Sequence, residues 1–386
     1  MAERKKSWQR VKLGDVVTNS TAATKDYEAD GFSRYIIGKH IPEDGRISEW
    51  SPVGDGDFGS RIRTIVRAGD VICTTRGPKL RVAVATFDCL SAHTNFILRP
   101  LDEGVILPSL VEAVARSEGF QDHLRRNFRG STNLFVNWSD AARYEFSLPP
   151  LDEQRRMAAV LDAARETTEA VQHTARAALQ VRRSLQKGYF LDAHDEANTT
   201  VGQIADVRNG TTPRRGRDEY WGGDVAWLPT GKVNERKITA ADEFITEKAL
   251  SECSLDLIPA SSTLIAMIGQ GKTRGMAAFL SFEATINQNF AAVVPGNEVE
   301  PEFLFYQLEA KYQLLRLWSQ GTNQQALNCR LVSAFPFWVP SVQRQREIVD
   351  VLRTADLAHE QAEGRATMAW EALGMIRESI LAGGPS

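Results

Sequence analysis

With 386 residues the chain exceeds one ordinary core; at about 150 residues per domain it implies two or three, and its 42% hydrophobic and 25% charged residues exclude global disorder. No apolar run approaches the roughly 18 residues of a spanning helix, and Met1–Trp8 lacks the apolar stretch of a secretory signal. Cys73, Cys89, Cys253 and Cys329 are too scattered for a disulfide scaffold or zinc finger, as expected of reduced thiols in a cytoplasm, and a net charge of −3 argues against a protein that coats nucleic acid non-specifically.

The first stretch, residues 1–150, shows short β-branched runs such as Val71–Thr74 and Arg81–Ala85, punctuated by Gly, Pro and Asp, with a late helical segment at Leu107–Phe120. From Gln154 to Phe190 there is no Pro, and small or apolar residues recur in steps of three and four at Met157, Leu161, Ala164, Thr168, Val171, Ala175, Ala178, Arg182 and Leu185. Residues 199–340 return to short runs, Leu264–Ile268 and Ala291–Val294 among them, with a helical segment at Pro301–Leu317. Between Gln345 and Leu381 the same stepping picks out Ile348, Val351, Ala355, Ala358, Ala362, Ala366, Ala369, Leu373, Ile376 and Ile380. Each long segment predicts a helix of about 55 Å at 1.5 Å per residue.

The chain is written twice. Leu148-Pro149 ahead of Gln154-Arg155 has its counterpart in Val339-Pro340 ahead of Gln345-Arg346, 191 positions later, although Arg344 stands where the first copy has Glu153. Gly130-Ser131-Thr132-Asn133 matches Gly321-Thr322-Asn323, and further upstream Gly69–Ile72 matches Ser262–Ile265. Tyr35–Lys39 echoes Trp227–Lys232, and Leu13–Val16 echoes Val201–Ile204. The order and near-constant offset make this a pseudo-twofold internal repeat. It predicts an α+β fold: two similar mixed α/β globules alternating with two long helices that pair as an antiparallel coiled coil. The expected borders are 1–150 and 199–340 for the globules, and 151–198 and 341–386 for the helices. Two readers held at a set separation suit duplex DNA, with the helix pair as the ruler.

In these features the chain resembles the specificity subunit of type I restriction-modification systems. The motifs are Leu148–Met157 and Pro340–Ile348 leading into the helices, the Gly-Ser-Thr-Asn and Gly-Thr-Asn-Gln-Gln segments, and Ala68–Ile72 with Ser261–Ile265. The resemblance implies a non-catalytic DNA-sequence reader in a cytoplasmic phage-defence complex. Each globule would be a target-recognition domain for one half of an asymmetric, gapped site. The helices would dock two methyltransferase subunits and, through them, a restriction-translocation subunit. No cofactor is implied for this chain, because methyl donor, ATP and magnesium belong to those partners; nor is a membrane.

Residues 1–150 carry 21 Lys and Arg against 19 Asp and Glu, and residues 199–340 carry 13 against 15, so local clusters must supply any DNA contact. Arg76-Gly77-Pro78-Lys79-Leu80-Arg81 and, at the equivalent place, Gly269–Arg274 with Lys272 and Arg274 are basic Gly-containing loops that let a backbone approach phosphate. Arg125–Asn133 contains Arg126, Arg129 and Asn133, and its second copy offers Gln324, Gln325 and Asn328; these are base-reading side-chain types, or else parts of a capped turn. Arg214 and Arg215 beside Tyr220-Trp221, and the matched Lys39 and Lys232, complete the DNA-binding candidates. Met157, Leu161, Val171, Leu185, Ile348, Val351, Leu373 and Ile376 are the candidates for the helix seam and partner docking. The rival reading is a coiled-coil scaffold that does not read DNA.

Two enzyme-like strings are weak. Ala266–Thr273 imitates a phosphate-binding loop, but Arg274-Gly275 and a new strand follow where a helix is needed. Asp224 with Glu235-Arg236-Lys237 has a loose nuclease spacing, with Glu235 in a turn. No metal site is expected.

Overall fold

The computed structural model describes residues 8–42, 45–55, 58–77, 80–131, 133–192, 197–269, 271–318 and 326–382. They form two compact units, Met1–Val171 with Arg365–Ser386, and Gln172–Gly364.

In the first unit a five-stranded sheet runs in the order Val17–Asn19, Asn95–Pro100, Val71–Thr74, Val82–Ala85, Arg46–Ile47, the first three pairings antiparallel and the last parallel. Its central strand, Val-Ile-Cys-Thr, has no polar face because both sides are covered: Val71 and Cys73 join the core under the helix Pro108–Arg116, while Ile72 joins a second core on the other side. A smaller sheet places Ser51–Pro52, Arg34–Ile36, Cys89–Ala92 and Ile62–Val66 side by side.

The second unit repeats this plan by itself. Its five strands run Ala205–Asn209, Phe290–Pro295, Thr263–Ala266, Ala277–Leu280, Lys237–Ile238, again with three antiparallel pairings and a final parallel one. Its smaller sheet, Glu243–Ile245, Trp221–Leu228 and Thr285–Ile286, has the pairing senses of the first unit's first three strands, and among the described residues it has no fourth strand. The internal repeat is thus carried in strand order as well as in sequence.

Each globule is closed by a two-stranded ribbon, Gln9–Lys12 with Glu145–Leu148 and Thr199–Thr200 with Pro336–Phe337. Beside each ribbon a glycine meets a short helix: a Cβ at Gly14 would lie 2.8 Å from the Ala142 Cβ, and one at Gly202 would lie 2.9 Å from the Ser333 Cβ. The repeated Leu-Gly and Val-Gly therefore mark a close approach that admits no side chain.

The predicted helical segments each divide in two. Pro108 and Pro301 occupy the first helical turn, where their missing N–H is harmless. Pro108–Arg116 ends at Ser117, whose hydroxyl accepts from the Phe120 N–H at 3.2 Å and starts the helix Glu118–Arg126. Pro301–Ala310 is followed after Lys311 by Tyr312–Trp318.

The long helices are α1, Leu151–Lys187, which ends in a π-turn at Gly188–Asp192, and α2, Val342–Ala382. The Gln of each Gln-Arg pair explains the repeated lead-in. Gln154, 1% exposed, accepts from the Leu107 N–H at 2.9 Å and donates to the Val105 and Pro149 carbonyls at 2.8 Å each. Gln345, fully buried, accepts from the Glu300 N–H at 2.8 Å and donates to the Glu298 and Pro340 carbonyls at 3.0 Å each. One amide therefore ties each helix start to the loop before its globule's helix.

Within each unit the two helices pack antiparallel. In the first, Thr168 on α1 donates to the Ala369 carbonyl on α2 at 3.3 Å, and Leu161 shares a core with Leu373 further along α2. In the second, Arg182 meets Asp356, and Leu185 packs on the core containing Ile348, Val349 and Leu352. Every predicted seam position of α1, from Met157 through Val171 to Leu185, is buried or half-buried. The α2 stripe needs a correction at Val351, which is 39% exposed while Leu352 is 1% exposed, and at Ala358, which is exposed as well. The first turns of α2 pack on globule and partner helix together, and 3.6 residues per turn carries the buried line through Ile348, Val349 and Leu352. Ile376 lies half-buried against the first unit's core. Among the described residues no helix is long and apolar enough to cross a membrane.

Candidate nucleic-acid interface

In the first unit the two basic segments are stitched together. The Gly77 N–H donates to the Leu134 carbonyl and the Val136 N–H to the Thr75 carbonyl, each at 3.2 Å, so the loop after the central strand runs beside residues 133–136. Arg129 and Phe135 exchange backbone hydrogen bonds of 2.8 and 3.0 Å, closing a tight loop between them. Gly130 enters that loop with φ +88°, and a Cβ there would lie 2.7 Å from the Asn133 carbonyl. Arg76, Asn133 and, on the preceding helix, Arg126 are exposed around this stitch. Arg129 is tethered to Asp140 at 3.0 Å, with Arg143 on the same carboxylate. Burial acts to raise the Asp140 carboxyl pKa, but the two arginines outweigh it and hold it below the usual range.

The second unit has the same stitch, Leu327 N–H to Met267 carbonyl at 2.9 Å. Lys272 is exposed on its loop, whose backbone is braced by the Tyr312 hydroxyl on the Lys272 carbonyl (2.6 Å) and by Arg316 on the Arg274 carbonyl (3.3 Å). Arg274 itself is only 6% exposed. Asn328 follows the capped-turn reading: its side-chain oxygen accepts from the Leu331 N–H at 2.9 Å and starts the helix Cys329–Ser333. Lys79, Gln324 and Gln325 lie outside the described residues.

The matched lysines diverge. Lys39 is exposed on the turn Gly38–His40, and Arg81 braces that turn by donating to the Gly38 and Ile41 carbonyls at 3.1 Å each. Lys232, 7% exposed, is neutralised internally by Glu235 at 2.5 Å and Asp242 at 3.0 Å, and the hydrogen bond to Glu235 is the main cause of its raised pKa. Arg214 is exposed, and its carbonyl accepts from the Trp221 indole at 3.3 Å. Arg215 lies 3.9 Å over the Trp221 ring, beside Trp227, and is paired with Glu243.

The nuclease-like string belongs to a structural lock. Arg236, at φ +59°, binds Glu309 and Asp356, and Lys237 adds a 3.6 Å contact to Asp356. Among the described residues no group of three His, Cys, Asp or Glu is placed to hold a metal. After Lys272-Thr273 the chain turns into the strand Ala277–Leu280 without a helix. Sequence reasoning missed Arg34 and Arg63, each set between two aromatic rings; strand pairing, which a linear reading does not display, brings Arg34 to Trp50.

Two copies of one sheet-and-helix globule, each followed by a long helix and each bearing basic loops, define a duplicated two-globule protein. Residues 195–365 match the family model described as Type I restriction modification DNA specificity domain. The chain is 25% identical over 170 residues to the EcoR124I/EcoR124II specificity subunit of Escherichia coli, and 30% identical over 161 residues to the MjaIX specificity subunit of Methanocaldococcus jannaschii. These matches take in 43% and 40% of this chain and span 42% and 37% of those relatives. In fold it is similar over its whole length to a solved chain of the type I R-M system, with TM-score 0.62 and 18% identity, all of that chain being covered. It is likewise similar over its whole length to the type I S subunit from M. genitalium, with TM-score 0.58, 14% identity and 98% of that chain covered. Over residues 195–365 in sequence, and over its whole length in fold, the chain is similar to type I restriction-modification specificity subunits.

Proposed function

We propose that this chain reads an asymmetric, bipartite, gapped DNA site, one half per globule, and docks two methyltransferase subunits on its helix pair, with a restriction subunit joining through them. The recognition domains are proposed to span 1–150 and 199–340 and the helical spacers 151–198 and 341–386, the whole working in the cytoplasm. The observation that carries the reading is the repeated strand order of the two globules, joined to the family match of residues 195–365. Two copies of one fold with different loop side chains suit two unlike half-sites at a set spacing. The stitched basic loops, with Arg76, Arg126, Arg129, Asn133 and Lys272, are the proposed contacts, Lys39, Arg214 and Arg215 adding to them. The buried Lys232 and Arg274 support these surfaces from within.

The test is single-molecule methylation sequencing of the host genome with and without the gene. Loss of methylation from one gapped motif on deletion is the expected result. A purified complex that assembles but shows no preference across a random duplex library would instead favour the scaffold reading, to which the near-neutral charge of the globules lends its weight.

A further inference from the structure

The small sheet of each unit carries an arginine laid on an indole. In the first unit Arg34 opens the strand Arg34–Ile36 opposite Pro52, and this pairing brings Trp50 alongside it. The Arg34 guanidinium lies 4.8 Å from the centre of the Trp50 ring and 5.4 Å from that of Phe87. Trp50, just ahead of the strand Ser51–Pro52, is 42% exposed, whereas Tyr35 beside Arg34 is fully buried. Arg67 and Arg99 nearby are paired with Asp88 and Asp70, but among the described residues the Arg34 guanidinium has neither a carboxylate partner nor a hydrogen bond. In the second unit Arg215 lies on Trp221, steered by Glu243.

The stacks are not copies of each other. By strand register Arg34 corresponds to Ala226, and Trp50 to Asp242. One sheet has thus been fitted with an arginine–tryptophan stack at two unrelated positions, whereas a packing feature inherited through the duplication would keep its place.

A phosphate needs only a positive charge, which a mobile lysine supplies. A guanidinium pressed on an indole has its plane fixed, and its forked N–H donors match the O6 and N7 acceptors of guanine in the major groove. We propose that Arg34, oriented by Trp50, reads a guanine in the half-site of the first globule, and that Arg215 on Trp221 does so in the other. This deepens the function proposed above and rests on it.

The test uses the assembled complex, through the methylation motif it writes in cells and its binding to a random duplex library. The unaltered complex comes first: absence of any motif refutes the DNA-reading function, whatever Arg34 does. Given a motif, Arg34→Lys keeps charge and fold and is expected to relax one guanine position in one half-site, on the order of 10-fold to 100-fold in discrimination, with the other half-site unchanged. Trp50→Leu should relax the same position, and Arg215→Lys a guanine in the opposite half. The proposal is overturned by an unchanged motif in both Arg34→Lys and Arg34→Ala, by a half-site with no guanine on either strand, or by equal weakening on every duplex with a shallower salt dependence, the mark of a phosphate contact.

Discussion

Asp356 on the second long helix accepts a hydrogen bond from the Arg182 Nε of the first at 2.5 Å, and it is 1% exposed. The Tyr306 hydroxyl at 2.8 Å and Arg236 at 3.0 Å also donate to it, with Lys237 at 3.6 Å, so one carboxylate joins two helices and two segments of the globule. Burial alone would raise the Asp356 pKa, but Arg236, Tyr306 and Arg182 together hold it below the ordinary carboxylate range. Asp356→Asn leaves buried cations under-compensated and is expected to cost about 3–5 kcal/mol in chemical denaturation. Because the folded pKa is depressed, the stabilisation is complete above the unfolded carboxylate pKa, about 4, and is lost as pH falls through the folded value. Melting temperatures measured from pH 7 down to pH 3 should fall less steeply for Asp356→Asn than for the parent.

Gln154 and Gln345 make the same three bonds, so they are predicted to fail alike. Replacing either by Ala strips a buried N–H and two carbonyls of their partner and should cost about 2–4 kcal/mol. Urea unfolding of the two single variants checks this. A large loss for one and none for the other would mean that only one amide anchors its helix.

Leu352 and Val351 are neighbours with opposite fates. Leu352→Ala removes a fully packed side chain and should cost about 2–4 kcal/mol, whereas Val351→Ala, at an exposed site, should stay within about 0.5 kcal/mol. Thermal unfolding distinguishes the observed stripe from the regular heptad, which assigns the larger loss to Val351.

Lys39 and Lys232 separate surface charge from internal charge. Lys39→Gln should weaken binding on all duplexes and reduce the salt dependence by about one unit. Lys232→Met should leave that slope unchanged while lowering stability, because its charge is already matched by Glu235 and Asp242. Titrations at several salt concentrations read both.

Much of the architecture was legible because it rests on long or repeated patterns. The proline-free run after Gln154 marks α1, and the doubled Pro-to-Gln-Arg spacing reflects a buried amide with the same three bonds in both copies. Short, distant pairings were not legible. The small sheet of the first unit joins Arg34–Ile36 to Cys89–Ala92, strands of three and four residues with no periodicity to reveal them. The break at Ser117 depended on a capping hydroxyl, a residue type equally at home in a loop. Lys39 and Lys232 look alike in sequence, and the difference in their burial shows only once the chain is folded.

The closing ribbons give each globule a property separate from what it binds. Gln9–Lys12 lies against Glu145–Leu148, and Thr199–Thr200 against Pro336–Phe337, so each globule leaves the rest of the chain and returns to it at one spot. A segment with adjoining ends can be exchanged for another of the same plan, provided that the newcomer offers the backbone N–H and carbonyl that Gln154 or Gln345 binds inside the globule.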